Sequence, residues 1–353
     1  MYSYTLEEVQ ALTELPPAPP MDRDFLTFEE WNWSLEDIKA LNLPLSVMAT
    51  VCPMDGSTKA VLVISDARVA TVPMYIRQVS GALSVDWGDG SEPTTFAAAT
   101  NANRTLEHTY AAAGKYIVTI STDGSYTLGH GSATTTFLHG KNQLLAEVYL
   151  GKGANVGSYG LLKYPSLRVA TFALGVTTIN GSAFWQTTTL ESVSLPNTVQ
   201  TIKNQSFQNV DRMSVLSIPP SVESLAYGWS TYCRGLKSVT IPPKSKDTGA
   251  QYGMVSEIYL AEGVQEISSE FLYNGIARTI KIPSTVESIS GQAFRGCGSM
   301  EKMVFKPLVP PTVANSNAFD IHTWCIVEVP AESLEAYQNA TNYAGIAAQM
   351  VGV

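Results

Sequence analysis

Charge is sparse in this sequence: only 15% of its residues are charged, and they leave a formal net charge of −9. A sparsely charged acidic chain has no basic footprint for phosphate backbones, which excludes nucleic acid as an expected partner. No apolar run reaches the roughly 18 residues that a membrane-spanning helix needs, so no membrane insertion is expected. The opening MYSYTLEEVQALTELPPAPP has neither the basic stretch nor the apolar stretch of an export leader. A chain that stays in its cell, leaves by another route such as lysis, or has lost a leader would each read this way. Cysteine is scarce too. Cys52, Cys233, Cys297 and Cys325 form no C-x-x-C pair, which argues against a zinc site and a small disulfide scaffold. Buried free thiols acting as small hydrophobes are the expectation. The 45% hydrophobic content excludes a disordered chain.

Catalytic patterns are missing as well. His108, His130, His139 and His322 make no H-x-x-x-H or H-E-x-x-H pair, so a zinc hydrolase has no support. GKGANVGSYG at 151–160 is glycine-rich but lacks the G-K-[ST] ending of a phosphate loop. No G-x-S-x-G elbow occurs, and the carboxylates are scattered. No catalytic residue, cofactor or metal is expected.

What is present is a repeat. An L-x-x-V-x-L pattern recurs as Leu145/Val148/Leu150, Leu167/Ala170/Phe172, Leu190/Val193/Leu195 and Met213/Leu216/Ile218. It continues as Leu236/Val239/Ile241, Val255/Ile258/Leu260, Ala277/Ile280/Ile282 and Met300/Met303/Phe305, with a ninth copy at Val327/Val329. The copies are 19 to 24 residues apart. Six residues after most central positions comes V-x-x-I/L: Val176/Ile179, Val199/Ile202, Val222/Leu225, Val264/Ile267 and Val286/Ile289. An aromatic follows each: Phe184, Phe207, Trp229, Phe271 and Phe294. Alternating apolar residues make a short strand with one buried face. One such unit cannot bury that face, but stacked units can, each touching only its neighbours. The expected fold is mainly β, a solenoid of about nine rungs whose parallel sheet runs roughly 40 Å at ~4.8 Å per rung. The copy at Leu236 lacks V-x-x-I, having PPKSKDTGAQYGM instead, so a displaced loop is expected there. Cys233 and Cys297 share a slot with Thr187 and Val210, which reads as an interior packing position. Leu334, Tyr337, Ile346 and Met350 lie at near-helical spacing and predict one or two short capping helices.

The runs LESVSLPNTVQTIKNQSFQNV and IKIPSTVESISGQAFRGCGSM resemble the BspA-like leucine-rich repeats, and VEVPAESLEAYQNATNYAGIAAQM resembles their C-terminal cap. The resemblance covers roughly residues 145–353 and implies a surface adhesin of bacteria. Upstream, short β-type runs (46–51, 60–64, 83–87, 115–120) predict a small antiparallel sandwich. There SVDWGDGSEP followed by LEHTYAAAGKYIVTI resembles the PKD domain, an immunoglobulin-like module of adhesive proteins. Asp89-Gly90 would make its tight turn. Asp86 and Asp89, near Glu92, offer too few oxygens for a calcium site.

Residues 1–45 are neither. Pro16, Pro17, Pro19 and Pro20 stiffen them, and Phe25, Phe28, Trp31 and Trp33 form a dense aromatic cluster. Such an arm would dock on another subunit or pack on the sandwich; docking is the favoured expectation. The expected division is therefore a docking arm at 1–45, a PKD-like sandwich at 46–125, the solenoid at 126–330 and a helical cap at 331–353. The outward strand positions form one row: Tyr149, Thr171, Ser194, Ser217, Thr240, Tyr259 and Lys281, continued by Val304 and Glu328. Its hydroxyls and tyrosines suit a glycan or protein surface, though a Ser/Thr ladder is also an ordinary solvent face of a parallel sheet. The expected function is non-enzymatic adhesion or recognition. The favoured setting is a phage or phage-like particle, as a tail or fibre component contacting a bacterial surface. The alternative is a bacterial cell-surface adhesin binding host protein or glycan.

Overall fold

The computed structural model describes residues 56–64, 71–129, 131–134, 136–138, 144–243, 246–247 and 255–353. The aromatic arm with Phe25, Phe28, Trp31 and Trp33, the run expected at 46–51, and Cys52, His130 and His139 lie outside the described residues.

Seven strands form the N-terminal part: β1 (Thr58–Ile64), β2 (Thr71–Ser80), β3 (Leu83–Asp86), β4 (Thr94–Phe96), β5 (Ala102–Thr109), β6 (Gly114–Thr122) and β7 (Ser125–Leu128). Ala60, Leu62, Val85, Val118 and Ile120 alternate inward against Met74, Ile76 and Leu128 of the opposite sheet. The strands β2, β5 and β7 carry no apolar run in sequence. In β5 only Leu106 is buried, and Pro73 interrupts β2 in the half that has no pairing with β7.

Both sheets of this sandwich run on into the solenoid. β8 (Leu145–Tyr149), the first repeat strand, pairs antiparallel with β1, and β10 (Val169–Thr171) then pairs parallel with β8. One sheet therefore runs β4-β3-β6-β1-β8-β10 and on to Ser192–Ser194. On the other side β7 pairs with β9 (Ala154–Val156). Thr58 fixes the junction by accepting the Gly151 amide at 2.9 Å and the Tyr126 hydroxyl. Gly151 is required because a Cβ there would lie 2.2 Å from the Gly56 carbonyl oxygen. One hydrophobic cluster extends from Ala60 to Met350, with no break at the boundary expected near residue 125.

In the solenoid the repeat positions stack in register. Ala170 faces Val148 and Val193, Val239 faces Leu216 and Ile258, and Met303 faces Ile280 and Val327. None of these nine is more than 8% exposed, as the period-two reading requires. The V-x-x-I residues make a second column of short strands, in which Ile179, Ile202 and Leu225 align, as do Ile267, Ile289 and Val313. Where V-x-x-I is missing, Lys246–Asp247 still pair in register with Ser224–Leu225. The rung survives its apolar gap because backbone pairing alone continues the column. The result is about eight turns with both strands and a ninth strand, Ile326–Val329, against nine rungs expected.

The polar residues of the repeat have structural roles. Thr198, Ser221 and Thr285 donate from Oγ to the carbonyls of Val176, Val199 and Val264 one rung earlier, at 2.7–2.8 Å. This satisfies a carbonyl that rung spacing would otherwise leave without a donor. The cysteine slot works the same way. Cys233 Sγ lies 2.7 Å from the Phe207 carbonyl, Cys297 Sγ 3.0 Å from that of Leu272, and Thr187 Oγ1 2.6 Å from that of Leu161. The slot is interior, as expected, but three of its occupants also donate; only Val210 fills it by packing alone. Burial pushes the Cys233 thiol up to about 12 and those of Cys297 and Cys325 to about 11, suppressing the thiolate.

The cap is less helical than expected. Ala331–Ser333 and Ala347–Gln349 are 3-10 turns, and the one α-helix described there is the five-residue Leu334–Gln338. Met350 is not helical. It begins a strand, Met350–Gly352, that pairs parallel with Ile326–Val329 and ends the sheet. Tyr337 and Tyr343 plug the last rung, their hydroxyls donating to the Pro307 and Pro311 carbonyls at 2.8 and 3.0 Å. Among the described residues no helix is long and apolar enough to cross a membrane.

Candidate binding face

The strand column has an inner face in the core and an outer face with two rows. One row is that expected from the sequence. The ladder brings Tyr149, Thr171 and Ser194 side by side, aligns Thr240 with Tyr259, and joins Lys281 to Val304 and Glu328. The second row lies two residues upstream: Val215, Ser238 and Glu257 are consecutive there.

The rows are not uniformly open. Tyr149 and Thr171 are each 3% exposed and Ser194 is 9% exposed, so these three do not belong to a free surface. From Ser217 onward the face opens: Ser217 and Lys281 are exposed, and Thr240 is half-buried between strands. Tyr259 is 54% exposed and Val215 60%, with Ile326 at 50% further along. An apolar side chain standing this far out beside hydroxyls makes a mixed surface, the composition that interface cores favour. Val215 and Ile326 were not singled out in the sequence, where each reads as one more apolar residue of a strand. Their outward register was the signal available.

The electrostatics of the open face are local. Tyr259 donates to Glu257 Oε2 at 3.2 Å, and this hydrogen bond to a carboxylate raises its phenol above the ordinary range. Lys302 pairs with Glu328 at 2.6 Å. Beside the face, Arg168, Glu191 and Arg212 form a cross-rung chain, with Arg168–Glu191 at 2.9 Å and Arg212–Glu191 at 3.7 Å. These exposed pairs set register and charge pattern more than stability.

The acidic turn of Asp86 and Asp89 is tied into the sandwich. Asp86 Oδ1 accepts the Gly88 amide, and Asp89 Oδ1 accepts both the amide and the hydroxyl of Ser91. Asp89 Oδ2 lies 2.7 Å from His108 Nε2. His108 stacks on Trp87 at 4.5 Å, and the Tyr110 hydroxyl donates to the Trp87 carbonyl at 3.0 Å. The W-G-D-G and H-T-Y motifs are thus two halves of one hydrogen-bonded corner. Gly88 is needed at φ +76°, where a Cβ would meet the Ile117 carbonyl oxygen at 2.5 Å. Among the described residues no group of three His, Cys, Asp or Glu is placed to hold a metal ion.

Burial opposes ionisation of Asp89, but the hydrogen bonds from Ser91 and His108, with the His108 charge, outweigh it and hold the carboxyl down at about 2 against an ordinary 3.8. A folded value below the unfolded one contributes stability above 3.8, and that stability is lost as pH falls toward about 2. Asp89→Asn is therefore expected to flatten the fall of melting temperature across this acid window. Parallel pH profiles for the two proteins would show that the corner contributes nothing.

Comparison with known proteins follows the solenoid. The family model described as BspA type leucine rich repeat region matches residues 155–254 and 251–340, in six copies, which is more than half of the chain. No curated protein matches the sequence. Among solved structures the chain is similar to a leucine-rich repeat protein from Bacteroides ovatus, at 15% identity and a TM-score of 0.32, covering 60% of this chain and 64% of that one. It is similar to a leucine rich cell surface protein from Faecalibacterium prausnitzii, at 17% identity and a TM-score of 0.25, covering 53% and 60%. It is also similar to the pneumococcal vaccine antigen PcpA, at 10% identity and a TM-score of 0.25, covering 56% and 71%. The chain spans less than two thirds of the first two of these proteins.

Proposed function

The chain belongs to the BspA-type leucine-rich repeat family, and from that premise we propose that it is a non-enzymatic adhesion or recognition protein. It grips a protein or glycan on a cell surface with the open part of its strand face. The observation that carries this reading is the change along the strand column from buried to exposed. Beyond Ser194 the face presents Val215, Ser217, Ser238, Thr240 and Tyr259 along three strands joined by parallel pairing, and Lys281 in the next paired set. A rigid, flat, hydroxyl-rich surface with exposed apolar anchors binds without first ordering itself, which lowers the entropic cost of association.

Two settings were expected from the sequence. Membership of a family of surface adhesins supports a cell-surface adhesin over a component of a phage-like particle, since the particle reading depends on an arm that docks between subunits. We also read the sandwich as PKD-like, supported by the corner of Trp87, Asp89, His108 and Tyr110. In this reading it is the N-terminal cap of the solenoid.

The test uses fluorescently labelled full-length protein on a glycan array and on intact bacterial and epithelial cells. Tyr259→Ala and Val215→Ser, each exposed and free of any core role, are expected to weaken whichever binding is seen by about 30-fold. That is the effect of losing a hot-spot residue of about 2 kcal/mol. Binding unchanged by both substitutions would move the site off this face.

A further inference from the structure

The charges of the strand column are paired from rung to rung, except in one place. Arg168 and Arg212 flank Glu191, Arg278 meets Glu301 at 3.1 Å, and Lys302 meets Glu328 at 2.6 Å. Lys237, Glu257 and Lys281 are exposed, and among the described residues none of them has an opposite charge within ion-pair distance. The three surround Tyr259, which is 54% exposed. Glu257 precedes it by two residues on the same side of the strand Glu257–Leu260, and its Oε2 accepts the Tyr259 hydroxyl at 3.2 Å. Lys281 holds the position of Tyr259 on the neighbouring strand, Thr279–Ile282. Lys237 lies on the rung before, where its carbonyl accepts the Glu257 amide at 2.9 Å. Thr240 is opposite Tyr259 in register.

A lone surface charge is satisfied by water and marks nothing. Here a carboxylate, an ammonium and an open aromatic ring meet within two rungs, on a column that otherwise pairs its charges. The chain has the same outward pair at Glu147 and Tyr149 in β8, where the hydroxyl again donates to the glutamate Oε2. Both of those residues are buried, so the pair is accessible only at Glu257 and Tyr259.

We propose that Glu257, Tyr259 and Lys281 form a subsite for a neutral pyranose, a sugar ring of an uncharged glycan. The proposal rests on the open strand face being the binding face, and it names the class of ligand. Charge complementarity argues for it. The Tyr259 hydroxyl occupies Glu257 Oε2, and among the described residues Oε1 has no donor. A carboxylate only accepts hydrogen bonds and an ammonium only donates them, whereas a sugar hydroxyl does both. Adjacent hydroxyls of one ring therefore satisfy Glu257 and Lys281 together and bring no charge of their own. An acidic sugar or acidic peptide is drawn to Lys281 but repelled by Glu257, and a basic peptide meets the reverse conflict. Tyr259 supplies the apolar contact, since the C–H face of a pyranose lies well against the electron-rich face of an aromatic ring. Its bond to Glu257 holds that ring in place before the ligand arrives, which lowers the ordering cost of binding. Lys237, on the far side of Glu257, offers a donor to the next sugar of a longer chain.

The test is a glycan array carrying neutral oligosaccharides beside their sialylated and uronic-acid counterparts, probed with the full chain. Neutral glycans should be bound, and the signal should hold as salt is raised, because an uncharged ligand has no long-range attraction to screen. In calorimetric titration with the neutral glycan that binds best, Glu257→Ala and Lys281→Met should each weaken binding about tenfold or more, the effect of losing a hydrogen bond to a charged group. Arg278→Met, which breaks only the pair with Glu301, should leave binding unchanged, and all three variants should melt with the unaltered chain. If Glu257→Ala melts early, Glu257→Gln keeps the shape, removes the charge and is read in its place. An array signal confined to acidic glycans overturns the proposal, as does neutral binding indifferent to Glu257 and Lys281. A silent array overturns it too. If cells are still bound and Tyr259→Ala weakens that binding, the face is a protein-binding one and the adhesion reading stands without the sugar subsite. If Tyr259→Ala leaves cell binding unchanged as well, both fall.

Discussion

Replacing Phe207 with alanine is expected to cost about 3–5 kcal/mol of folding free energy, the usual range for a fully buried phenylalanine. Phe207 is 0% exposed and sits in the middle of an aromatic column. Its ring stacks on Phe184 at 5.3 Å with an interplanar angle of 6°, and meets Trp229 edge-on at 6.1 Å. Truncation therefore opens a cavity between two rungs and removes two ring contacts. The neighbouring rungs cannot close the gap, because their spacing is set by backbone pairs such as Ile202 with Ile179 and Leu225. Phe294, stacked on Phe319 at 5.8 Å and edge-on to Phe271, is expected to behave alike when truncated. A typical domain has only about 5–15 kcal/mol in hand, so either change should lower the melting temperature sharply. In a solenoid the loss is local, so the Phe207 variant should also split into two transitions, one on each side of the damaged rung. Urea unfolding followed by circular dichroism decides the point. A shift smaller than about 1 kcal/mol would mean that the aromatic column is not what fills these rungs.

The second large effect is expected from removing the sandwich. A protein starting at Leu144 should fail to fold or should aggregate, although it retains the repeats from the first strand onward and the C-terminal cap. Without β1 and β7, the edges of β8 and β9 lose their partners. The interior side of Leu145, Val148, Val156 and Leu161, each at most 1% exposed in the intact chain, then faces water. An open strand edge beside bare core is the usual template for aggregation. A milder probe of the same junction is Gly151→Val, whose added carbons have no room against Gly56 and Ser57. A soluble truncated protein melting cooperatively within a few degrees of the full chain would show that the solenoid caps itself.

This dependence was hidden in the sequence. The motifs around Trp87 and His108 read as a separate module, and nothing in their local pattern tells that Lys59 to Leu62 will pair with Tyr149 to Leu145. That pairing joins residues more than 80 positions apart, and strand registry across such a gap leaves no periodic trace. The cap shows the opposite error. Met350 at helical spacing from Ile346 looked helical, but the open edge of Ile326–Val329 recruits it as a strand. Here a long-range hydrogen-bonding need overrides a local pattern.

The repeat was legible because it is local and cumulative. Each V-x-L alternation states which side chains face inward, and stacking at one register repeats the statement in every copy. For that reason the buried set from Val148 to Val327 and the aromatic column from Phe184 to Phe294 follow from the amino-acid order alone. The candidate face was legible only as geometry. Tyr149 and Tyr259 are alike in spacing, in their neighbouring glutamate and in pointing outward, and the sequence treats them as equals. Only the tertiary structure separates them, because exposure depends on what chain from elsewhere lies above a residue, and an outward side chain carries no mark of its cover.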